Sequence, residues 1–454
     1  MTQRPKRLTA RILPSLRDDL RSTFARVLRH KIVRNAFALY WVQFAILIVP
    51  LVTLPYLTRV HGGEALGTLI LAQSVSQVLA LILEFGFNQS ATRDVAVARH
   101  DPEQLSRIVS GVLGAKAILA AATLGAVLVA LAAIPSVAGE PEFALLAWLA
   151  AVGLGFTPNW FFLGIEAMRV AALVQLACRV VATVLTFVLV HEPEDAWIVL
   201  ALTAASTGVG AAALVARMSR TAPVRLPHWA ESAQALRRGS RLFVSAAAVG
   251  FYTTANVIIL GLFVSAAQVA VFGLAERIVR AATQLLAAVA WAAYPRLSYL
   301  QRSNAAERAR RLGRATLASL VAVGTAGSIF LAVLDEEIVR LLFGSEFAAS
   351  APLLRILCLI VPLIAYSTVL GAGWMLSLEM DRQLVRTVLL GAAVNLVLAF
   401  VAAPAFGARG MAWVVVVAEL AVALGLTAAV LKRDFTSSGL GFFRRSPGAG
   451  PSSS

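Results

Sequence analysis

The chain has 454 residues, 59% of them hydrophobic and 14% charged, with a formal net charge of +16. A soluble globular chain holds about 25% charged residues, so the composition excludes an ordinary soluble protein. The basic residues lie between apolar stretches rather than on a recognition module, which argues against nucleic-acid binding and assigns them to topology and to anionic membrane lipids.

Residues 1–34 carry ten Lys or Arg. Leu16, Leu20, Phe24, Val27 and Leu28 recur among them at helical spacing, so the segment reads as a cytoplasmic amphipathic anchor and not as a cleaved secretory signal. Apolar stretches then follow at 35–59, 65–87, 108–134, 143–164, 170–190, 196–216, 242–263, 268–295, 315–334, 353–376, 384–404 and 410–431. Each is long enough, at about 20 residues, to cross a hydrocarbon core of about 30 Å. The fold class is therefore an all-α integral membrane protein with about 12 transmembrane helices. The basic linker 217–241 divides them into an N-lobe, 35–216, and a C-lobe, 242–431. The Ser-, Gly- and Pro-rich tail, 432–454, is expected to be disordered and cytoplasmic. Cys178 and Cys358 both lie in apolar spans, and neither a disulfide framework nor a metal cluster follows from them.

With both termini inside, the outer connections hold only Arg59, Arg340 and Arg409 out of 40 Lys and Arg. They are acidic instead: Glu140, Glu142, Glu192, Glu194, Asp195, Asp335, Glu336 and Glu337. The asymmetry alternates through every connection, as the positive-inside rule requires, and a missed span would have inverted it.

The halves resemble each other. A shift of 203 residues puts Leu71, Ala72 and Gln73 on Leu274, Ala275 and Glu276, and Arg93 on Arg296. A shift of 213 puts Glu166 and Arg169 on Glu379 and Arg382. Six helices per half is an even number, so both halves enter from the same side and the pseudo-two-fold axis runs along the membrane normal. Transporters built this way bind cargo near the midplane and alternate access by rocking the halves.

A charge at the centre of a span costs about 2.5–3.5 kcal/mol and needs a partner, water or a ligand. Lys116 and Arg179 lie nine or ten residues from the inner end of their spans, about 15 Å deep. Span 8 carries Glu276, Arg277 and Arg280, of which Glu276 and Arg280 share a face as an i, i+4 pair. Glu419, Asn395 and Asn256 lie near the middle of spans 12, 11 and 7. Lys116, Arg179, Arg277 and Arg280 outweigh Glu276 and Glu419, which suggests a cationic cavity for an anion such as phosphate. Each of these charges could instead pin helices together. Trp160 is a candidate sugar platform, against the ordinary reading of packing. No Walker-type phosphate loop occurs and no cofactor is expected, so uphill work would need an ion or coupling to cargo synthesis.

Asn159-Trp160-Phe161-Phe162-Leu163-Gly164-Ile165-Glu166-Ala167-Met168 is similar to a signature of bacterial O-antigen and exopolysaccharide repeat-unit flippases, departing at Leu163, where glutamine is common. Phe85 to Asp94, Ala275 to Ala281, Tyr294 to Ser298 and Leu342 to Phe347 carry the same likeness. The resemblance covers about 35–431. It implies a V-shaped inner-membrane protein of the superfamily joining multidrug and toxin extruders with polysaccharide exporters. It further implies translocation of undecaprenyl-diphosphate-linked oligosaccharides to the periplasmic leaflet for O-antigen, capsule or exopolysaccharide synthesis, without enzymatic chemistry. Arg277 and Arg280 fall within a matching motif. Lipid-linked oligosaccharide, membrane lipids, and a polysaccharide polymerase with its chain-length machinery are the partners that follow. The alternatives are a multidrug extruder, expected to carry a negative site; a lipid II flippase, commonly with fourteen spans; and a membrane glycan polymerase or ligase, which would need larger outer loops.

Overall fold

Lipid offers the backbone no hydrogen-bond partners, so each apolar stretch must satisfy its N–H and C=O groups internally, as a helix. The computed structural model describes residues 52–303, 305–436 and 442, and among these there is no strand. The basic amino-terminal segment, most of the first span and most of the tail lie outside the described residues. Helix α1 covers 52–60. The N-lobe continues through α2 (Gly63–Glu84), α3 (Phe87–Ala98), α4 (Pro102–Ala133), α5 (Pro141–Phe156), α6 (Asn159–Gly164), α7 (Met168–Leu189) and α8 (Ala196–Ser219). The C-lobe comprises α9 (Trp229–Gly261), α10 (Ala266–Arg302), α11 (Ala306–Val333), α12 (Asp335–Phe343), α13 (Ser350–Leu357), α14 (Ile360–Thr368) and α15 (Asp381–Thr436). Eight helical segments among the described residues are long and apolar enough to cross a membrane.

Local chemistry sets the ends and breaks. Helix α4 starts where the Asp101 carboxylate accepts from the backbone N–H of Glu103 and Gln104, with Pro102 in the first turn. The fourth span is split because Pro158 has no N–H to continue α5. Helix α9 begins at Trp229, well inside the connection expected over 217–241. The acidic connection after α11 is itself helical, and there the buried Asp335 takes a bidentate pair of bonds from Arg355 at 2.8 and 2.9 Å.

Helix α15 is too long to be one span. At Gly407, φ is +55°, a left-handed conformation that glycine adopts without strain, and there the chain folds back. The contacts show the hairpin: a Cβ on Gly391 would meet Val422, and one on Gly425 would meet Thr387. Both pairs centre on residues 406–407, so the arms run antiparallel, as spans 11 and 12. Phe442 packs on Trp374 with ring centroids 4.7 Å apart and accepts a bond from Arg314 Nε at 2.6 Å.

The internal repeat is physical. Ile70 and Gly273, 203 positions apart, touch, since a Cβ on Gly273 would lie 2.7 Å from Ile70. Above and below, Gly63 meets Ala267, and Arg277 donates to Gln73 Oε1 at 2.5 Å. The constant register means α2 and α10 run in the same direction, side by side on the pseudo-two-fold axis. Glu166 and Glu379, matched by the shift of 213, both adopt φ of +59°.

One apolar core joins the lobes at the acidic face, running from Leu54, Leu66 and Ile70 to Phe272, Phe343 and Met411. Toward the basic face it divides. Phe87, Trp160 and Leu214 form an N-lobe core, whereas Leu300, Trp374 and Leu426 form a C-lobe core. The start of α9 crosses to the N-lobe, with Phe243 stacked on Phe85 at 4.6 Å and Arg238 paired to Asp94 at 2.8 Å.

Candidate functional site

Between the lobes lies a cavity of about 580 Å³. Among the described residues, helices α1, α2, α5, α7 and α8 supply its N-lobe wall, and α10 supplies the C-lobe side. Helix α7 is peripheral: Leu173, Val180, Val181, Val184 and Val188 are exposed on it as an apolar outer surface. Its inner stripe of Gln175, Arg179, Thr183 and Thr186 is spaced at intervals of three or four and faces the cavity. Arg277 and Arg280 enter from α10, four and seven residues past Gly273 on the two-fold contact.

Arg179, Arg277 and Arg280 thus meet in one space, and among the described residues its lining holds no Asp or Glu. Arg280 is held by Glu276 at 2.8 Å and by the Thr253 carbonyl. Arg277 is held by Gln73. Arg179 has no hydrogen-bond or ion-pair partner among the described residues. One oriented pair and one unencumbered guanidinium around a polar space can grip a multivalent anion from two sides.

The remaining expected site residues lie elsewhere. Lys116 is 1% exposed, donates to the Gly155 carbonyl, and sits 5.5 Å from the Phe87 ring centroid. The cause is the break at Pro158. In an unbroken helix the N–H of Asn159 would bond Gly155, but it bonds Thr157 at 2.9 Å and leaves the Gly155 carbonyl open. Lys116 caps that carbonyl and does not reach the cavity. Trp160 is fully buried beside Phe161, with Thr92 bonded to its carbonyl, so its indole is no sugar platform in this conformation. Glu276 is 7% exposed and touches the cavity only through Arg280. Asn256, on α9, and Asn395 and Glu419, on the two arms of α15, are buried in the C-lobe away from the lining. The hairpin register sets Asn395 level with Glu419.

Sequence reasoning passed over the hydroxyl and amide groups that make up much of the wall: Gln73, Gln77, Gln175, Gln284 and, on α8, Thr203, Ser206 and Thr207. Their signal was present. Thr203, Ser206, Thr207 and Gly210 recur at i, i+3, i+4 and i+7 on an otherwise apolar helix.

A two-lobed, all-helical, multi-pass membrane transporter is the class this fold and cavity define. Solved structures share the fold. A lipid II flippase, MurJ, in an inward closed conformation superposes with a TM-score of 0.65 at 13% identity, covering 88% of each chain. An inward-facing multidrug transporter of the MATE family, within the MOP superfamily, gives 0.64 at 16% identity, covering 88% of this chain and 96% of that one. An outward-facing member of that family gives 0.53. The chain itself belongs to the polysaccharide biosynthesis protein family, whose pattern matches residues 32–301. A candidate O-antigen transporter of Shigella dysenteriae is 27% identical over 401 residues, 87% of this chain and 99% of that protein. Another from Escherichia coli (strain K12) is 27% identical over 374 residues, 81% of this chain and 89% of that protein.

Proposed function

We propose that the chain is a flippase of the bacterial inner membrane that moves an undecaprenyl-diphosphate-linked oligosaccharide repeat unit from the cytoplasmic to the periplasmic leaflet, with both termini in the cytoplasm. The observation that carries the reading is the convergence of Arg179, Arg277 and Arg280, from both lobes, on one cavity. A diphosphate is the anionic group common to all such cargo, whatever the sugar, and guanidinium forks match its oxygens. Three guanidinium groups in the lining tell against a drug-cation extruder. An apolar core that is continuous at the acidic face and divided toward the basic face suits a cavity receiving cargo from the side that the charge rule makes cytoplasmic.

The test is surface glycan per unit of inserted protein in Arg179 variants. Arg179→Ala should abolish export at normal protein abundance, and Arg179→Lys should retain part of it, because a point charge still attracts phosphate. Arg179→Glu should be at least as damaging as Ala. Full export by both the Ala and Glu variants would remove Arg179 from the cargo site.

A further inference from the structure

Resting on the flippase reading, we infer that Gln175, Thr203 and Thr207 on the N-lobe wall form a glycan subsite, accepting hydrogen bonds from neutral sugar hydroxyls while the arginines hold the diphosphate. The bonding of the wall decides its polarity. Thr203 Oγ1 donates to the Val199 carbonyl at 2.8 Å, and Thr207 Oγ1 donates to the Thr203 carbonyl at 2.9 Å. A carbonyl can only accept, so each hydroxyl has committed its one proton to its own helix and offers the cavity lone pairs alone. Thr157 and Thr186 do the same toward Gly153 and Ala182, both at 2.9 Å.

Gln175 is fixed in the same sense. Its Nε2 donates to Asn159 Oδ1 at 3.0 Å and to the Ala171 carbonyl at 3.2 Å. The carbonyl contact makes that end of the amide the nitrogen, so Oε1 is the end left for a ligand. Guanidinium donors enter the same cavity from Arg179, one turn along α7 from Gln175, and from Arg277 and Arg280 on α10. A phosphate has only acceptors and cannot bond Thr203, Thr207 or Gln175 Oε1, whereas a sugar is rich in O–H donors. The cavity thus offers two kinds of partner, guanidinium donors for the diphosphate and the acceptors of Gln175, Thr203 and Thr207 for the glycan. A buried acceptor left without a donor is costly, and this disfavours deoxygenated cargo at the subsite.

The test measures binding to the purified full-length protein of two probes: a polyprenyl diphosphate with no sugar, and the same lipid carrying a neutral hexose disaccharide. The wild type should bind the sugar-bearing probe at least about tenfold more tightly, since each neutral hydrogen bond is worth about fivefold. Thr203→Val/Thr207→Val, isosteric but without the oxygens, should lose most of that preference, keeping at most the roughly fivefold that Gln175 supplies. It should keep wild-type affinity for the sugar-free probe. Thr203→Ser/Thr207→Ser keeps both oxygens and should keep the preference, which separates lost acceptors from disturbed packing. Arg179→Ala should weaken both probes alike. An undiminished preference in the valine variant, or equal binding of the two probes by the wild type, overturns the subsite and leaves the flippase reading standing. Failure of the wild type to bind either probe overturns both.

Discussion

The pair Glu276–Arg280 gives an asymmetric prediction, because its members differ in exposure. Glu276 keeps 9% of its side-chain surface and Arg280 34%, with 2.8 Å between them. Arg280→Met leaves a carboxylate buried without its partner, a change that costs about 3 kcal/mol, at the lower end of the usual range because Arg277 stays nearby. Glu276→Gln is milder. The amide still offers an oxygen, and Arg280 can draw on cavity water and on the Thr253 carbonyl, so the cost is about 1 kcal/mol. Removing both charges leaves neither stranded, and Glu276→Gln/Arg280→Met should be more stable than Arg280→Met alone. Unfolding of the purified protein in mixed detergent should return a coupling of about 2 kcal/mol in the double-mutant cycle. Strict additivity, or a larger loss from Glu276→Gln than from Arg280→Met, would refute the reasoning.

Closure of the acidic face depends on Gly67, where a Cβ would overlap the Ala266 carbonyl, and on the Gly63 N–H bonded to Glu346 at 3.1 Å across the lobes. Cysteines at Gly63 and Ala267, whose Cβ positions lie 3.3 Å apart, should cross-link under oxidation and stop export reversibly, and Gly67→Val should prevent the link. For topology, in a background lacking Cys178 and Cys358, cysteines replacing Glu194 and Glu337 should label with an impermeant reagent from outside intact cells. Those replacing Arg225 and Arg308 should not, and labelling at Arg225 would break the alternation. His61, buried in the turn between α1 and α2, has its pKa pushed below the usual 6.5 by burial, against the Pro193 carbonyl and the Asp195 carboxylate. Between the two values the unfolded state binds more protons, so stability is complete above the unfolded pKa and falls as the pH drops toward the folded one. Melting profiles between about pH 5 and about pH 7.5 should show this loss on acidification, and His61→Leu should flatten it.

The sequence by itself determined the helical fold class and the repeat. The physical reason is that a hydrocarbon solvent leaves a long apolar segment one way to satisfy its backbone, so length and hydropathy suffice. It also determined the Glu276–Arg280 pair, since residues four apart on a helix are neighbours whatever the tertiary structure. Only the tertiary structure decided which polar groups meet. Lys116 and Arg179 have the same sign and the same depth, and nothing local tells them apart. The Pro158 break opens a carbonyl that captures Lys116, whereas the packing of α7 turns Arg179 into the cavity. The partner of Arg277, Gln73, is 204 residues away and was reachable only through the axis on which α2 and α10 lie. The hydroxyl wall stayed hidden for a different reason: a threonine bonded to its own helix is at home in an apolar span, and only the fold shows whether its lone pairs face lipid, protein or cargo.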